Sequence, residues 1–188
     1  MPSRKMTAAD VEAPLIPLTM EENSLFRSAL MRCAYLSQDR PDIQEAVKSL
    51  SRWMVKPNQL AMQELKRLGR YLKKVPYVVQ EFKLQRLPKV IRVYVDSDHA
   101  GDLWSRKSTT GMVTMVGLHT LRQTSNLQST VSLSSGESEY YALVKGAAFG
   151  LSCQSMYRDF GIYMDVEVLS DSSAARSFAS RRGLGKQR

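Results

Sequence analysis

Val90-Ile-Arg-Val-Tyr-Val-Asp-Ser-Asp-His-Ala-Gly-Asp102 is the stretch on which the reading of the whole chain turns. Its first six residues are β-branched and aromatic at most positions, the composition of a pleated strand. Ala100-Gly101 then signals a turn, so Asp96 is expected at the strand's end. Downstream, Thr110–Val116 and Leu118–Ser125 read as a hairpin turning at Gly117. A long helix runs from about Ser135 to Phe160 and stops before Gly161. Val166–Leu169 follows as a short strand, and Ser172–Ser180 as a last helix. Immediately upstream, Tyr77–Leu84 is rich in Val and Tyr and reads as a further strand. Strands interleaved with helices over residues 77–188 predict a mixed α/β sheet flanked by helices.

Further upstream the period changes. Ile43, Val47, Leu50 and Met54 recur at helical spacing behind Pro41, which suits a first helical turn. After Pro57, Ala61, Leu65, Leu68, Leu72 and Val75 form a second apolar stripe, and Glu22–Tyr35 is expected to be helical too. Residues 22–76 are therefore expected to form a small helical unit, and residues 1–21, with Pro14 and Pro17, a loose lead-in.

The 188 residues carry a net charge of +9, and 43% of them are hydrophobic, which describes a globular chain with an acidic polymer as partner. The charge is clustered. Lys66, Arg67, Arg70, Lys73 and Lys74 fall close together, as do Arg181, Arg182, Lys186 and Arg188. Lys66, Arg70 and Lys73 share the face of their helix opposite the apolar stripe, where a phosphate backbone would meet them. No apolar run approaches the roughly 18 residues of a membrane span. The first residues lack the apolar core of a secretory signal, so an intracellular protein without membrane contact is expected. Cys33 and Cys153 are too few for a disulfide framework or a zinc site and read as buried thiols.

The chemistry is expected from acids. Asp96, Glu139 and Asp171 each stand at a strand end or in the first turns of a helix beside the sheet, where open α/β sheets bind ligands. Two carboxylates about 4 Å apart repel by roughly 4 kcal/mol at an effective dielectric of about 20. Three that converge need protons or cations. An all-oxygen ligand set suits Mg²⁺ or Mn²⁺, and a pair of such ions is a device for phosphodiester displacement. The plainer readings are a helix N-cap for Asp171 and a turn for Asp96. Glu137 and Glu139 lie about 200° apart around a helix, so one alone can face the sheet. Glu139 shares its face with Ala142, Gly146, Gly150 and Cys153, small residues that permit close approach, whereas Glu137 stands three after Ser134, as in a capping box. Asp98 is a candidate accessory ligand. Asp102, His99 and His119 read as turn or surface residues.

YVDSDHAGD (94–102), RKSTTG (106–111), VSLSSGESEYYAL (131–143) and LSDSSAA (169–175) resemble, in order and spacing, the ribonuclease H domain of copia-type retrotransposon Pol polyproteins. LFRSALMRCAYLSQDRPDIQEAVKSLSRWM (25–54) and ELKRLGRYLKK (64–74) resemble the reverse transcriptase thumb or connection segment that precedes that domain. The resemblance implies a ribonuclease H-like mixed five-stranded sheet, two Mg²⁺ or Mn²⁺ ions, and hydrolysis of the RNA strand of RNA–DNA hybrids. It implies the rest of reverse transcriptase as a partner within a parent polyprotein, in cytoplasm, virus-like particle or nucleus. Asp96, Glu139 and Asp171 match the family's catalytic and metal-binding acids. Ser134 and Ser135 match polar residues that either contact the hybrid or only cap the helix.

The sequence also departs from the family. His99 stands where the family has Trp, and Gln123-Thr-Ser-Asn-Leu-Gln128 lacks its aromatic and basic residues. The family continues into an Arg-His-Ile-acid motif with a fourth carboxylate, so truncation of the last strand and helix, with impaired cleavage, is expected. The alternative is a catalytically inactive retroelement remnant that binds nucleic acid through its basic face.

Overall fold

Capping side chains and apolar stripes at helical spacing set the elements of the first unit. In this computed structural model residues 15–181 are described. The expectations for residues 1–14 and for the basic stretch 182–188 lie outside them. Helix α1 (Met20–Leu36) starts at Thr19, whose hydroxyl accepts from the Glu22 N–H while the Glu22 carboxylate accepts from the Thr19 N–H. That reciprocal cap makes the last two residues of the expected lead-in, Met20 and Glu21, helical. Helix α2 (Pro41–Ser51) opens on proline, and α3 (Gln59–Lys74) is capped by Asn58, whose side chain accepts from the Ala61 N–H. Phe26, Leu30, Ile43, Val47, Leu50, Leu65 and Leu68 bury the facing stripes. Arg40, nearly fully buried, donates to the Asp42 carboxylate and to the carbonyls of Val75 and Pro76, which ties the end of α3 to the start of α2.

The chain divides into two compact units, residues 1–81 and 82–188. The second is built on a four-stranded sheet in the order β3-β2-β1-β4. Strand β1 (Val90–Asp98) pairs antiparallel with β2 (Thr109–Val116) and parallel with β4 (Asp165–Leu169). Strand β3 (His119–Leu127) closes the hairpin with β2. The turn is at Gly117, whose φ of +60° is the left-handed conformation that glycine adopts without strain.

Among the described residues the sheet has four strands, not the expected five. Tyr77–Leu84 has the composition of a strand but forms none, and Tyr77, Val78, Val79, Phe82 and Leu84 are exposed. Strand propensity stabilises only a pleated, partnered surface. The end of this segment is instead held by side chains. Gln85 accepts from the Leu118 N–H and donates to the Val116 carbonyl, and the Phe82 ring meets His119 edge-on.

Along β1 burial alternates, with Ile91, Val93, Val95 and Ser97 inside and Arg92, Tyr94, Asp96 and Asp98 outside. Helix α4 (Ser135–Asp159) covers the inner face through Ala142, Gly146, Gly150 and Cys153. A Cβ added at Gly146 would stand 2.5 Å from Val95 Cγ1, and one at Gly150 2.5 Å from Val166 Cγ1, so the glycines set how close the helix lies. Helix α5 (Ser173–Ser180) follows β4. Among the described residues no helix is long and apolar enough to cross a membrane.

Candidate metal centre

Parallel pairing of β1 with β4 matches Tyr94 to Leu169. Two residues further along each chain stand Asp96 and Asp171, so the register brings both acids to the same level of the sheet. The cap of α5 is Ser172, whose hydroxyl accepts from the Ala175 N–H. Asp171 is therefore not the cap, and its carboxylate is left for the sheet edge. Asp96 does not end its strand. The ladder to β2 continues through Asp96↔Gly111 to Asp98↔Thr109, because backbone pairing persists up to the turn at Ala100.

Glu139 enters from the second turn of α4. Ser134 caps that helix by accepting from the Glu137 N–H, and the Glu137 carboxylate accepts from the Leu133 N–H, one residue further back than a capping box would reach. Glu137 is thus spent on the cap, and Glu139 faces the sheet. Ligand oxygens of Asp96, Glu139 and Asp171 lie within 4.8 Å of one another. Asp96 and Asp171 are exposed, while Glu139 is only 7% exposed.

The Ser97 N–H donates to Glu139 Oε1 at 3.3 Å, whereas the buried Oε2 has no hydrogen-bond partner. Burial raises the Glu139 pKa, with the charges of Asp96 and then Asp171 acting in the same direction. A buried, unpartnered carboxylate oxygen facing two more carboxylates calls for a positive charge. Oxygens on one Mg²⁺ are about 4.2 Å apart when opposite and about 3.0 Å when adjacent, so a spread of 4.8 Å exceeds the widest span of a single ion by about 0.6 Å. An all-oxygen, triply anionic set fits hard divalent cations such as Mg²⁺ and Mn²⁺.

The remaining expected residues fall elsewhere. Asp98 lies outside this group; its carboxylate occupies the space where a side chain at Gly101 would sit. Asp102 is buried and closes its own turn, accepting from the Ser105 N–H and hydroxyl. His99 is exposed beside that turn, and His119 contacts the Lys83 carbonyl. Ser134 and Ser135 are exposed at the start of α4. Lys66, Arg70 and Lys73 are exposed on α3, in the first unit.

One participant carries no signal in the sequence. Gln128 is 7% exposed, and its amide lies within hydrogen-bond distance of Ser97, Thr110, Ser132 and Ser138. A polar residue in a polar stretch after a strand shows no periodic pattern of burial.

The sequence is similar to several known chains. An uncharacterized mitochondrial protein of Arabidopsis thaliana is 37% identical over 127 residues, 65% of this chain and 51% of that protein. A secreted RxLR effector protein of Plasmopara viticola is 37% identical over 123 residues, 65% of this chain and 86% of the effector. A retrovirus-related Pol polyprotein from an A. thaliana transposon is 30% identical over 166 residues, 84% of this chain and 11% of the polyprotein. The chain thus spans about half of the first relative and about a tenth of the polyprotein. No family model matches the chain, and no solved structure matches it.

Proposed function

The chain being similar to retrovirus-related Pol polyproteins of transposons and thus retroelement-derived, we propose that its second unit is a ribonuclease H-type domain that hydrolyses the RNA strand of RNA–DNA hybrids with divalent metal ions. The observation that carries this reading is the convergence of Asp96, Glu139 and Asp171 with a buried carboxylate oxygen that has no partner. Those three side chains would hold the ions. Two bound Mg²⁺ or Mn²⁺ ions supply an activated water and neutralise the charge on the leaving oxygen.

The chain's own residues do the rest. Asp96, on the sheet's interior strand and paired with Gly111 of β2, is the rigid member. Glu139, held at Oε1 by the Ser97 N–H, keeps one oxygen directed into the cluster. Asp96 and Asp171 face solvent, so a bulky polymer has access to the acids from that side. The exposed Lys66, Arg70 and Lys73 offer phosphate contacts on the first unit.

The test is cleavage of a hybrid labelled in its RNA strand by the full chain in Mg²⁺, Mn²⁺ or EDTA. Metal-dependent cutting is expected at the impaired level that the sequence predicts, and Glu139→Gln should lower it further by roughly a hundredfold or more, beyond what groups that merely support a ligand contribute. Hybrid that is bound but left uncut, with no difference from Glu139→Gln, would replace this reading by that of a binding remnant.

A further inference from the structure

A single buried amide touches the neighbours of two of the three acids. Gln128 Nε2 donates to the Ser138 carbonyl at 2.9 Å, and Ser138 immediately precedes Glu139. The same nitrogen lies 3.3 Å from Ser97 Oγ, and Ser97 immediately follows Asp96. It also lies 3.0 Å from Thr110 Oγ1 on β2. The amide is itself held from behind, because Oε1 accepts from the Ser132 hydroxyl at 3.1 Å and the backbone N–H donates to the Ser108 carbonyl at 2.8 Å.

Ser97, Thr110, Gln128, Ser132 and Ser138 are all buried. A polar group in such a place is stable only with its hydrogen bonds made, so the network tolerates little displacement of any member. Apart from the long 3.3 Å bond from the Ser97 N–H to Glu139 Oε1, α4 meets β1 through small residues and valines, which fix its distance from the sheet but offer little resistance to sliding along it. The Gln128 bridge opposes that sliding at the level of Glu139.

We propose that Gln128 is a positioning residue that sets the separation of Asp96 and Glu139, an inference that rests on reading the acid cluster as a divalent-cation centre. It acts through Ser97 and Ser138 and touches neither acid. Its role is to keep the two carboxylates at a spacing that one cation set can share.

The experiment measures Mn²⁺ affinity of the full chain by calorimetry, well below each variant's melting midpoint, for wild type, Gln128→Met, Ser132→Ala, Asp96→Asn and Val116→Ala. Val116 is a core residue of β2 outside the network and serves as a control for lost stability. Gln128→Met should weaken Mn²⁺ binding about tenfold or more, the usual effect of removing a group that orients a ligand. Ser132→Ala should weaken it less, and Val116→Ala should leave it unchanged. A folded Gln128→Met protein with wild-type affinity overturns the proposal. If Gln128→Met does not fold, Ser132→Ala decides, and an unaltered affinity there overturns it equally. A wild-type chain that binds no Mn²⁺, or an Asp96→Asn chain that binds it as wild type does, removes the cation centre itself and the proposal with it.

Discussion

Arg40 grips Asp42 through two hydrogen bonds of 2.8 Å and Tyr71 adds a third of 2.9 Å. The guanidinium outweighs the effect of burial and holds the Asp42 carboxyl at about 2, against an ordinary 3.8. A carboxyl depressed in the folded state stabilises above its unfolded pKa and loses that contribution as pH falls through the folded one. Asp42→Asn should therefore cost up to about 2 kcal/mol at neutral pH. The gap between variant and wild type should close as pH falls from about 4 towards 2, by urea unfolding at both ends of that range. A gap independent of pH would contradict the assignment. At this scale the sequence discriminates well where angular position decides. Glu139 separates from Glu137 by rotation around the helix alone. It discriminates poorly where the partner is remote: nothing local to Gln128 announces Ser97 or Ser138, and nothing in Leu-Ser-Asp-Ser-Ser tells the capping Ser172 from its neighbour Asp171.

Helix α4 shows how an element turns composition into geometry. Ala142, Gly146, Gly150 and Cys153 are legible as a small-residue face because they recur at helical spacing, and they are the residues buried against the sheet. Gly146→Ala should raise intrinsic helix propensity by about 1 kcal/mol. The new Cβ would nevertheless stand 2.5 Å from Val95 Cγ1, and a β-branched side chain in a sheet yields little. Overpacking of this kind costs about 1–3 kcal/mol, so the variant should be less stable than wild type in thermal melts, and a gain in stability would show that the helix sits more loosely than the glycines imply. Tyr77–Leu84 marks the opposite limit. Its residues favour a strand, but a strand exists only where an edge is offered, and edge availability is a property of the assembled sheet. Helix α1 beginning at Met20 is readable in principle from Thr19 and Glu22, three apart, yet Pro17 draws the expected boundary later.

On the scale of the whole chain, the two units carry different parts of the chemistry. The second holds the acids, and the first presents Lys66, Arg70 and Lys73 on the exposed side of α3. If those cations meet phosphates, replacing all three by Gln should flatten the slope of log affinity for duplex against log salt by up to roughly 2.7, at about 0.9 for each phosphate no longer neutralised. An unchanged slope would return that helix face to the role of a solvated surface. The overall α/β plan and the helices before it were legible from local pattern, and the grouping of the three acids was legible once their places at strand ends and helix starts were joined to the motif resemblance. The number of strands and the network behind Glu139 were not, because both depend on residues far apart in sequence. Whether Asp96, Glu139 and Asp171 form a divalent-cation centre is decided by the thermal melt of the full chain with and without Mn²⁺. At about 100 times the dissociation constant, linkage adds about 2.7 kcal/mol of stability. A rise of that order is expected in wild type, together with its loss in Asp96→Asn and Asp171→Asn, whereas a wild-type melt unmoved by tens of millimolar metal would contradict the cation centre.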